Sequence, residues 1–224
     1  MMYMLSLGIF KVNTFGSNSM SALAELYQSI CNCQKCDISL TRTKAVPGEG
    51  ADNAEIMFVG EAPGWHEDQQ GRPFVGAAGQ FLTQLIKSIG YEREQVYITN
   101  VIKTRPPNNR DPLPNEITNC WPYLERQIEI INPQMIVTLG RFSMGLFMPG
   151  KIISQTHGTS IKKDGRLYFA MYHPAAALHQ GSLRSVIQSD MLKIPALLAE
   201  LKKEKEHVPT SHKAEDGFVQ AKLF

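Results

Sequence analysis

Several features that define whole classes of protein are scarce or missing in this sequence. No apolar run reaches the ~20 residues that a membrane-spanning helix needs, and no internal repeat indicates a repeat architecture. Basic residues outnumber acidic ones by only two, 23 against 21, so the net charge neither requires nor excludes a nucleic-acid partner. With 224 residues, of which 43% are hydrophobic, the chain predicts a soluble domain with a full core.

Cysteine is also scarce, and its placement is uneven. Three of the four cysteines, Cys31, Cys33 and Cys36, lie close together, and Cys120 is far away in sequence. Cysteines this close strain badly as mutual disulfides, whereas they converge readily on a metal ion or an iron–sulfur cluster. The alternative is a set of reduced cytosolic thiols, one or two of them in the core.

The two ends of the chain differ in composition from its middle. Residues 1–19 carry an apolar patch with no basic residue before it and no cleavage pattern after it, which favours a loose extension over a signal peptide. We expect a domain over residues 20–203 and a mobile polar tail over residues 204–224. The final residues, 220–224, faintly resemble a tail that binds a sliding clamp, but the aromatic pair of such tails is incomplete.

Apolar periodicity predicts alternating strands and helices, the pattern of an α/β protein. The helices are expected at residues 21–30, 77–89, 115–131 and 182–203, the last interrupted by Pro195. The strands are expected at residues 56–59, 96–102, 135–139, 152–158 and 167–172. Gly140 and Arg141 follow the third strand and open a short helix whose N–H groups could face an anion.

The first strand, Ile56–Val59, runs into a segment dense in chemically active residues. Gly60 ends the strand, the carboxylates Glu61 and Glu67 flank the next turn, and Phe74 lies in a second glycine-rich loop. Ligands of open α/β sheets bind beyond the carboxyl ends of the strands. A small planar or anionic group is therefore expected at this loop.

Two more polar side chains arrive at strand ends. Asn100 lies among β-branched residues near the end of the second strand, where it is either an edge or turn amide or an amide that binds the edge of a base. His173 follows the last strand. Because parallel strands share their carboxyl edge, we expect His173 to join Glu61 and Asn100 in one site.

Residues 103–114 hold four prolines and two asparagines, which exclude a helix or a central strand. We expect an exposed, stiff loop. Its basic residues Lys103, Arg105 and Arg110 would then contact a phosphate backbone. The alternative is a charged, solvated connection with no ligand.

Four separate motifs resemble, in order and spacing, those of the family 4 uracil-DNA glycosylases. They are GEAPG at Gly60–Gly64 followed by Glu67-Asp68, GRPFVGAAG at Gly71–Gly79, TNVIKTRPPNNRDP at Thr99–Pro112, and YHPAA at Tyr172–Ala176. The resemblance covers about residues 22–200. It implies a three-layer α/β/α fold with a central, mostly parallel four-stranded sheet, and the excision of uracil from DNA in base excision repair.

The resemblance also implies roles for matching residues. Phe74 would stack on the flipped uracil, Asn100 would bind its edge, and His173 would donate toward O2 as negative charge builds there. The backbone of Gly60 and Ala62 would add contacts to the base. Breaking the N-glycosidic bond leaves cationic character on the sugar and an anion on the base, so a carboxylate or an oriented water is needed near the sugar.

Glu61 and Glu67 are the candidates for that carboxylate, and our hypothesis is that Glu67 orients the water or stabilises the sugar cation. Base flipping costs roughly a few kcal/mol, which suggests a side chain that fills the vacated stack. In the segment after the HPA motif, Leu178 is the candidate wedge and Arg184 is a candidate phosphate contact.

The resemblance further implies an iron–sulfur cluster of the four-iron type, and Cys33, Cys36 and Cys120 match three of its family ligands. The fourth position is Thr104 here, and a hydroxyl is a poor iron ligand beside thiolates. Either Cys31 supplies the fourth ligand, or a three-cysteine cluster survives with a labile site, or the cluster is lost. We favour Cys31, because the substitution otherwise leaves this extra cysteine unexplained.

Three other classes of protein compete with this interpretation. A non-catalytic uracil- or DNA-binding protein on the same fold would not need the complete set of polar residues. A relative that traps DNA covalently would carry an insertion after Gln70, and none is present. A nucleotide-binding flavodoxin-like protein would leave the cysteines unexplained. The sequence thus predicts a monomeric, cytoplasmic and nucleoid-associated enzyme that acts on uracil-containing DNA.

Overall fold

A six-stranded sheet organises the computed structural model, which describes residues 21–207. The strands are β1 (Glu49–Gly50), β2 (Ile56–Gly60), β3 (Tyr97–Asn100), β4 (Met135–Leu139), β5 (Ser160–Lys163) and β6 (Arg166–Met171). They lie in the order β1-β3-β2-β4-β6-β5. The four inner strands are parallel, and each edge strand is antiparallel to its neighbour.

The expectation of a mostly parallel sheet is confirmed, but the predicted number of four strands was too small. The four inner strands are apolar runs that are almost entirely buried, which is the pattern that sequence analysis detects well. Strand β1 has only 2 residues and therefore no periodicity to detect. Strand β5 is polar and half exposed, so it lacks the apolar signal as well.

Helices cover both faces of the sheet. They are α1 (Ala22–Cys31), α2 (Trp65–Gln70), α3 (Ala77–Ser88), α4 (Pro114–Ile131), α5 (Arg141–Phe147), α6 (Ile153–Thr156), α7 (Ala176–His179), α8 (Leu183–Met191) and α9 (Ile194–His207). Alternate strand residues divide between two cores. Phe58 and Val137 pack with α3, α8 and α9, whereas Met57 and Ile136 pack with α1, α4 and α5. The result is the expected three-layer α/β/α arrangement.

Two local predictions were wrong. Residues 152–158 form the short helix α6 and a turn, and the strand that pairs with β6 begins only at Ser160. Asn115, predicted as a helix cap, lies inside α4. The cap residue is Leu113, whose backbone N–H donates to the Glu116 side chain at 2.8 Å. A carboxylate in the first turn thus satisfies a backbone group that the helix itself leaves unpaired.

Pro195 restarts the last helix rather than kinking it. Helix α8 ends at Met191, and Pro195 is the second residue of α9, where its missing N–H breaks no intrahelical bond. Helix α9 runs to His207, past the predicted domain boundary at residue 203. The predicted N-terminal extension and the clamp-binding tail lie outside the described residues. Among residues 21–207, no helix is long and apolar enough to cross a membrane.

The parallel strands bring distant segments to one edge of the sheet. Gly60 at the end of β2 is paired with Asn100 at the end of β3. The N–H groups of Val101 and Ile102 continue this pairing by donating to the carbonyls of Gly60 and Glu61. Strands β4 and β6 run in the same direction, so the residues that follow them reach this edge too.

Candidate active site

A cavity of about 430 Å³ opens at the carboxyl ends of the inner strands. Its lining includes Glu61, Glu67, Phe74, Asn100 and His173, which come from three distant parts of the chain. The structure therefore brings together the five side chains that the strand-end argument selected.

Close packing over Gly60 sets the relative position of Phe74 and Asn100. A β-carbon built on Gly60 would lie 2.3 Å from Asn100 Oδ1 and 2.6 Å from Phe74 Cζ, closer than real Cβ contacts permit. Any side chain at this position would displace the amide or the ring. The glycine at the end of β2 is thus a requirement of the cavity rather than of the strand.

The Asn100 amide is buried and incompletely paired. The residue is 2% exposed, and its Oδ1 atom has no hydrogen-bond partner. A buried acceptor without a partner is destabilising by about 1–3 kcal/mol, and such groups in native structures commonly have a functional role. The oxygen can accept a hydrogen bond from an N–H group of a ligand in the cavity.

Glu67 holds the loop that carries Phe74. Its Oε1 atom accepts hydrogen bonds from the backbone N–H groups of Val75 at 2.9 Å and Gly76 at 3.0 Å, and its Oε2 atom accepts one from Gly64 at 3.1 Å. Phe74 has a φ of +50°, an uncommon conformation for a bulky residue. Because Oε1 binds two N–H groups of this loop while Oε2 binds Gly64 in the preceding turn, Glu67 ties the two segments together and stabilises the loop conformation.

His173 is oriented by the backbone and kept neutral by burial. The N–H of Ala175 donates to His173 Nδ1 at 3.2 Å, which assigns the ring proton to Nε2. Loss of solvent lowers the pKa of His173 to about 4, against a smaller opposing effect of the Glu67 carboxylate. The imidazole stacks on Phe74 with ring centroids 5.5 Å apart. At neutral pH it can therefore donate a hydrogen bond from Nε2 without carrying a charge.

The surroundings of Glu61 favour the neutral, protonated form of its carboxyl group. Partial burial and, to a lesser extent, the negative charge of Asp111 raise the pKa of Glu61 to about 7, with Arg141 opposing them. Asp111 and Arg141 form an exposed ion pair with an N–O distance of 2.6 Å. The Glu61 carboxyl group thus titrates near neutral pH, the range in which a side chain can exchange protons with a reacting group.

Lys103 is buried, so its prediction as a DNA contact was wrong. The residue is 2% exposed, and its Nζ atom donates to Thr99 Oγ1, the Asn100 carbonyl and Gln127 Oε1, each at 2.7 Å. The chain turns inward after β3, so this lysine enters the layer under α4 rather than the surface loop that follows.

The remaining basic residues of that loop are nearer to the surface. Arg110 lines the cavity and forms a two-point ion pair with Glu116, with N–O distances of 2.6 and 2.9 Å. This pairing holds the pKa of Glu116 below its usual value, with the Leu113 N–H acting in the same direction. Arg105 donates to Asn109 Oδ1 at 2.7 Å. Arg110 is accordingly held at the wall of the cavity by Glu116, whereas Arg105 lines a different, neighbouring cavity.

The two candidates after the HPA motif lie beside the cavity. Leu178, in α7, is 49% exposed. Arg184, at the start of α8, places its guanidinium 4.3 Å from the ring centre of Phe81 and donates to Gln84 at 3.1 Å. Neither Leu178 nor Arg184 is among the residues that line the cavity.

Three of the four cysteines surround one small cavity. Cys33, Cys36 and Cys120 line it together with Thr104. Cys31 is exposed and lines a different cavity. In the described part of the chain, no group of three or more His, Cys, Asp or Glu side chains is arranged to hold a single metal ion. An iron–sulfur cluster makes a different demand, because each thiolate binds a separate iron atom.

Thr104 stands at the position of the fourth family ligand, and its hydroxyl is already hydrogen bonded. Arg42 donates from Nη1 to Thr104 Oγ1 at 3.1 Å and from Nη2 to the Cys31 carbonyl at 2.7 Å. The cavity thus offers three thiolates that would hold a four-iron cluster and, in place of a fourth thiolate, a hydroxyl beside a guanidinium. Cys31, the fourth ligand that the sequence favoured, does not line this cavity.

Sequence analysis missed three groups that act on the site. It did not connect Asp111 and Arg141 with Glu61, nor the backbone N–H of Ala175 with His173. Arg141 lies just after β4, so the rule that selected the other strand-end residues could have found it. The contacts of Asp111 and Ala175 depend on loop conformations that leave no periodic signal in the sequence.

Comparison with known proteins identifies the family to which this chain belongs. A family model described as the uracil DNA glycosylase superfamily matches residues 47–195, which contain every residue that lines the cavity. The chain belongs to this superfamily.

Curated relatives indicate which type of uracil-DNA glycosylase this chain is most similar to among the proteins compared below. It is 52% identical over 188 residues to the Type-4 uracil-DNA glycosylase of Sulfurisphaera tokodaii, an alignment that covers 80% of this chain and 86% of that protein. For the Type-4 enzyme of Archaeoglobus fulgidus the identity is 47% over 189 residues, with 80% and 94% covered. For that of Thermotoga maritima it is 43% over 176 residues, with 76% and 92% covered. The resemblance to the family 4 enzymes is thereby confirmed.

Proposed function

We propose that this chain flips uracil out of DNA and hydrolyses its N-glycosidic bond, leaving an abasic site for base excision repair. Membership of the family supports the proposal, and so does the chemistry of the cavity. The observation that carries it is the Oδ1 atom of Asn100, a buried acceptor without a partner in a residue that lines the cavity.

An unpaired amide oxygen selects uracil over cytosine. Uracil carries an N–H donor at N3 and a carbonyl acceptor at O4, so it complements an amide that accepts through Oδ1 and donates through Nδ2 of Asn100. Cytosine presents an acceptor at N3 and a donor at N4, so both contacts would be repulsive. Sites built around such hydrogen bonds reject the mismatched analogue by roughly 10⁴-fold or more.

His173 supplies a donor where negative charge develops on the base. Because the imidazole is neutral and its proton lies on Nε2, it can donate to O2 of the departing base. The hydrogen bond strengthens as the base becomes an anion, so it stabilises the transition state more than the ground state. Phe74 provides the aromatic surface on which the extruded base stacks, and the backbone of Gly60 and Ala62 adds contacts beneath it.

We assign the sugar side of the reaction to Glu61 instead of Glu67. Glu67 uses Oε1 on two backbone N–H groups of the Phe74 loop and Oε2 on the N–H of Gly64. Glu61 lines the same cavity and has a pKa close to neutral, so an ionised population exists at pH 7. In that form it can orient the attacking water or stabilise the cationic sugar.

Binding of DNA would involve the surface around the cavity. Arg110, which lines the cavity, and Arg105 and Arg184, which do not, are proposed to contact the phosphate backbone. Leu178 is proposed to fill the space that the extruded base vacates. The partner is uracil-containing DNA, acted on by a monomer in the cytoplasm at the nucleoid.

The cysteines are proposed to hold an iron–sulfur cluster of the four-iron type through the thiolates of Cys33, Cys36 and Cys120. When bound, the group would supply a cross-link between the segment after α1 and helix α4. Thr104 and Arg42 line the same cavity in place of a fourth thiolate, and Cys31, which does not line it, would not be a ligand. The support is the cavity shared by the three cysteines and the family to which the chain belongs.

Iron and acid-labile sulfide per chain, measured after anaerobic purification, test this ligand set. Cys31→Ser should keep the iron content of the parent, Cys33→Ser should lose most of it, and Thr104→Cys should retain iron longer in the presence of a chelator. A loss in Cys31→Ser as large as that in Cys33→Ser would contradict the assignment and restore Cys31 as the fourth ligand.

Excision is tested with oligonucleotides that contain one uracil opposite guanine, opposite adenine or in a single strand. Alkali-labile cleavage at the uracil is expected with the wild-type chain and should fall by about 100-fold or more in Asn100→Ala. A matched oligonucleotide with cytosine at the same position should stay intact. Binding of the uracil oligonucleotide without cleavage would overturn the proposed activity and favour a non-catalytic binding protein.

A further inference from the structure

Lys103 is an ionisable side chain enclosed in the protein, with 2% of its surface exposed, and burial lowers the pKa of Lys103 to about 7. Its ammonium group donates to three acceptors at 2.7 Å, namely Thr99 Oγ1, the Asn100 carbonyl and Gln127 Oε1. An ammonium group has three donors, so this set satisfies it completely. The three acceptors are neutral, so the arrangement is a hydrogen-bonded anchor and not a salt bridge.

The acceptors around Lys103 are themselves held in place. Gln127 donates from Nε2 to the Pro47 carbonyl at 2.8 Å and to the Tyr97 hydroxyl at 2.9 Å, which turns its Oε1 atom toward the lysine. The Thr99 hydroxyl donates to the same Pro47 carbonyl at 2.8 Å and so accepts from the lysine. A buried network in which each member has its partners is rigid and tolerates little displacement.

Asn100 depends on this network because its side chain lacks a comparable anchor. Its Oδ1 atom has no hydrogen-bond partner, and the amide lies packed over Gly60. Its backbone carbonyl, by contrast, receives a hydrogen bond from the Lys103 ammonium. The lysine therefore holds the carboxyl end of β3 through the Asn100 backbone.

We propose that Lys103 is a positioning residue for Asn100. By binding the Asn100 carbonyl, it sets the point from which the amide reaches a base in the cavity. The inference rests on the proposed function, in which Asn100 contacts uracil. It requires no contact between Lys103 and either the base or the DNA, and it accounts for a lysine that lies beneath a basic loop rather than on it.

A double-mutant cycle on uracil excision tests this role. Single-turnover rates are measured with enzyme in excess for the wild type, Lys103→Met, Asn100→Ala and the double variant. We expect Lys103→Met to lower the rate roughly 10- to 100-fold, with the dissociation constant for DNA changed by less than about threefold. In the Asn100→Ala background the same change should alter the rate by less than about threefold, because the amide to be positioned is gone.

Folding and iron content are followed in the same samples. Melting curves from circular dichroism identify a temperature at which every variant is folded, and the rates are compared there. Lys103→Gln keeps a side-chain donor, so it should recover part of the rate, and it replaces Lys103→Met in the cycle if the latter does not fold. Lys163→Met, at an exposed lysine of β5, is the matched control and should keep the parental rate.

The outcomes separate this inference from the function on which it rests. Equal rate losses in the wild-type and Asn100→Ala backgrounds would show that Lys103 acts through something other than this amide, and would overturn the inference alone. An unchanged rate in Lys103→Met would do the same. A wild-type chain that leaves uracil in place would overturn the proposed function and this inference with it.

Discussion

We expect the rate of uracil excision to depend on pH through Glu61, and the surroundings of Glu61 determine whether the rate rises or falls. Partial burial and the charge of Asp111 raise the pKa of Glu61 to about 7, whereas His173, with a pKa of about 4, stays neutral above pH 6. The ionised form of Glu61 is the one that can support the cationic sugar. The rate should therefore rise with pH through neutrality, with no second step from the histidine.

The size of this effect follows from the ionised fraction of Glu61. With a pKa of about 7, roughly one-eleventh of the carboxyl groups are ionised at about pH 6 and roughly ten-elevenths at about pH 8. The single-turnover rate should accordingly rise about tenfold between these two values. Bound DNA adds negative phosphates near the site, and their charge moves the midpoint upward rather than downward.

The assay is single-turnover excision of uracil from a duplex oligonucleotide at constant ionic strength. Asp111→Asn should move the midpoint to lower pH and Arg141→Gln to higher pH, each by about a few tenths of a unit, because this ion pair is exposed and screened. The Glu61→Gln variant should excise uracil slowly at every pH, and its rate should no longer increase with pH. A rate that falls as the pH increases, or a Glu61→Gln profile with the parental shape, would refute the reasoning.

Two further substitutions test the packing and the hydrogen bonds that hold the site in place. Gly60→Ala would place a methyl group 2.3 Å from the neighbouring amide oxygen, so excision should fall by about 100-fold or more. Gly145→Ala, where a β-carbon meets no atom within 4 Å, is the control, and equal rates in the two variants would contradict the packing argument. Glu67→Gln turns one acceptor into a donor facing backbone N–H groups, so urea unfolding should show a loss of about 1–3 kcal/mol. The exposed Glu125→Gln should cost less than about 0.5 kcal/mol, and a similar loss in both would argue against the loop-holding role.

The convergence of Glu61, Asn100 and His173 could be predicted because it follows from a geometric rule. Buried parallel strands are recognised by their apolar runs, and such strands end at a common edge of the sheet. The polar residue that follows each run therefore reaches the same region without any knowledge of side-chain contacts. Within residues 21–207, the strands that escaped detection are the polar edge strands β1 and β5, and neither of them contributes to the cavity.

Lys103 shows where the same kind of reasoning fails. Its neighbours in sequence are prolines, arginines and asparagines, which indicate an exposed loop. Its hydrogen-bond partners include Gln127, which lies on α4 and is separated from it by a whole loop and part of a helix. Composition reports the average environment of a segment, and it cannot report the direction in which one side chain leaves the backbone.

The layered α/β architecture and the identity of the side chains at the strand ends were accessible from the sequence, because both depend on local periodicity and on the geometry of parallel strands. The division of labour between Glu61 and Glu67 was not, since two carboxylates of one loop look alike until the backbone N–H groups around each are known. The exclusion of Cys31 from the cysteine cavity likewise required tertiary contacts. Charge state, orientation and access depend on burial and on partners far away along the chain, and these exist only once the layers have packed.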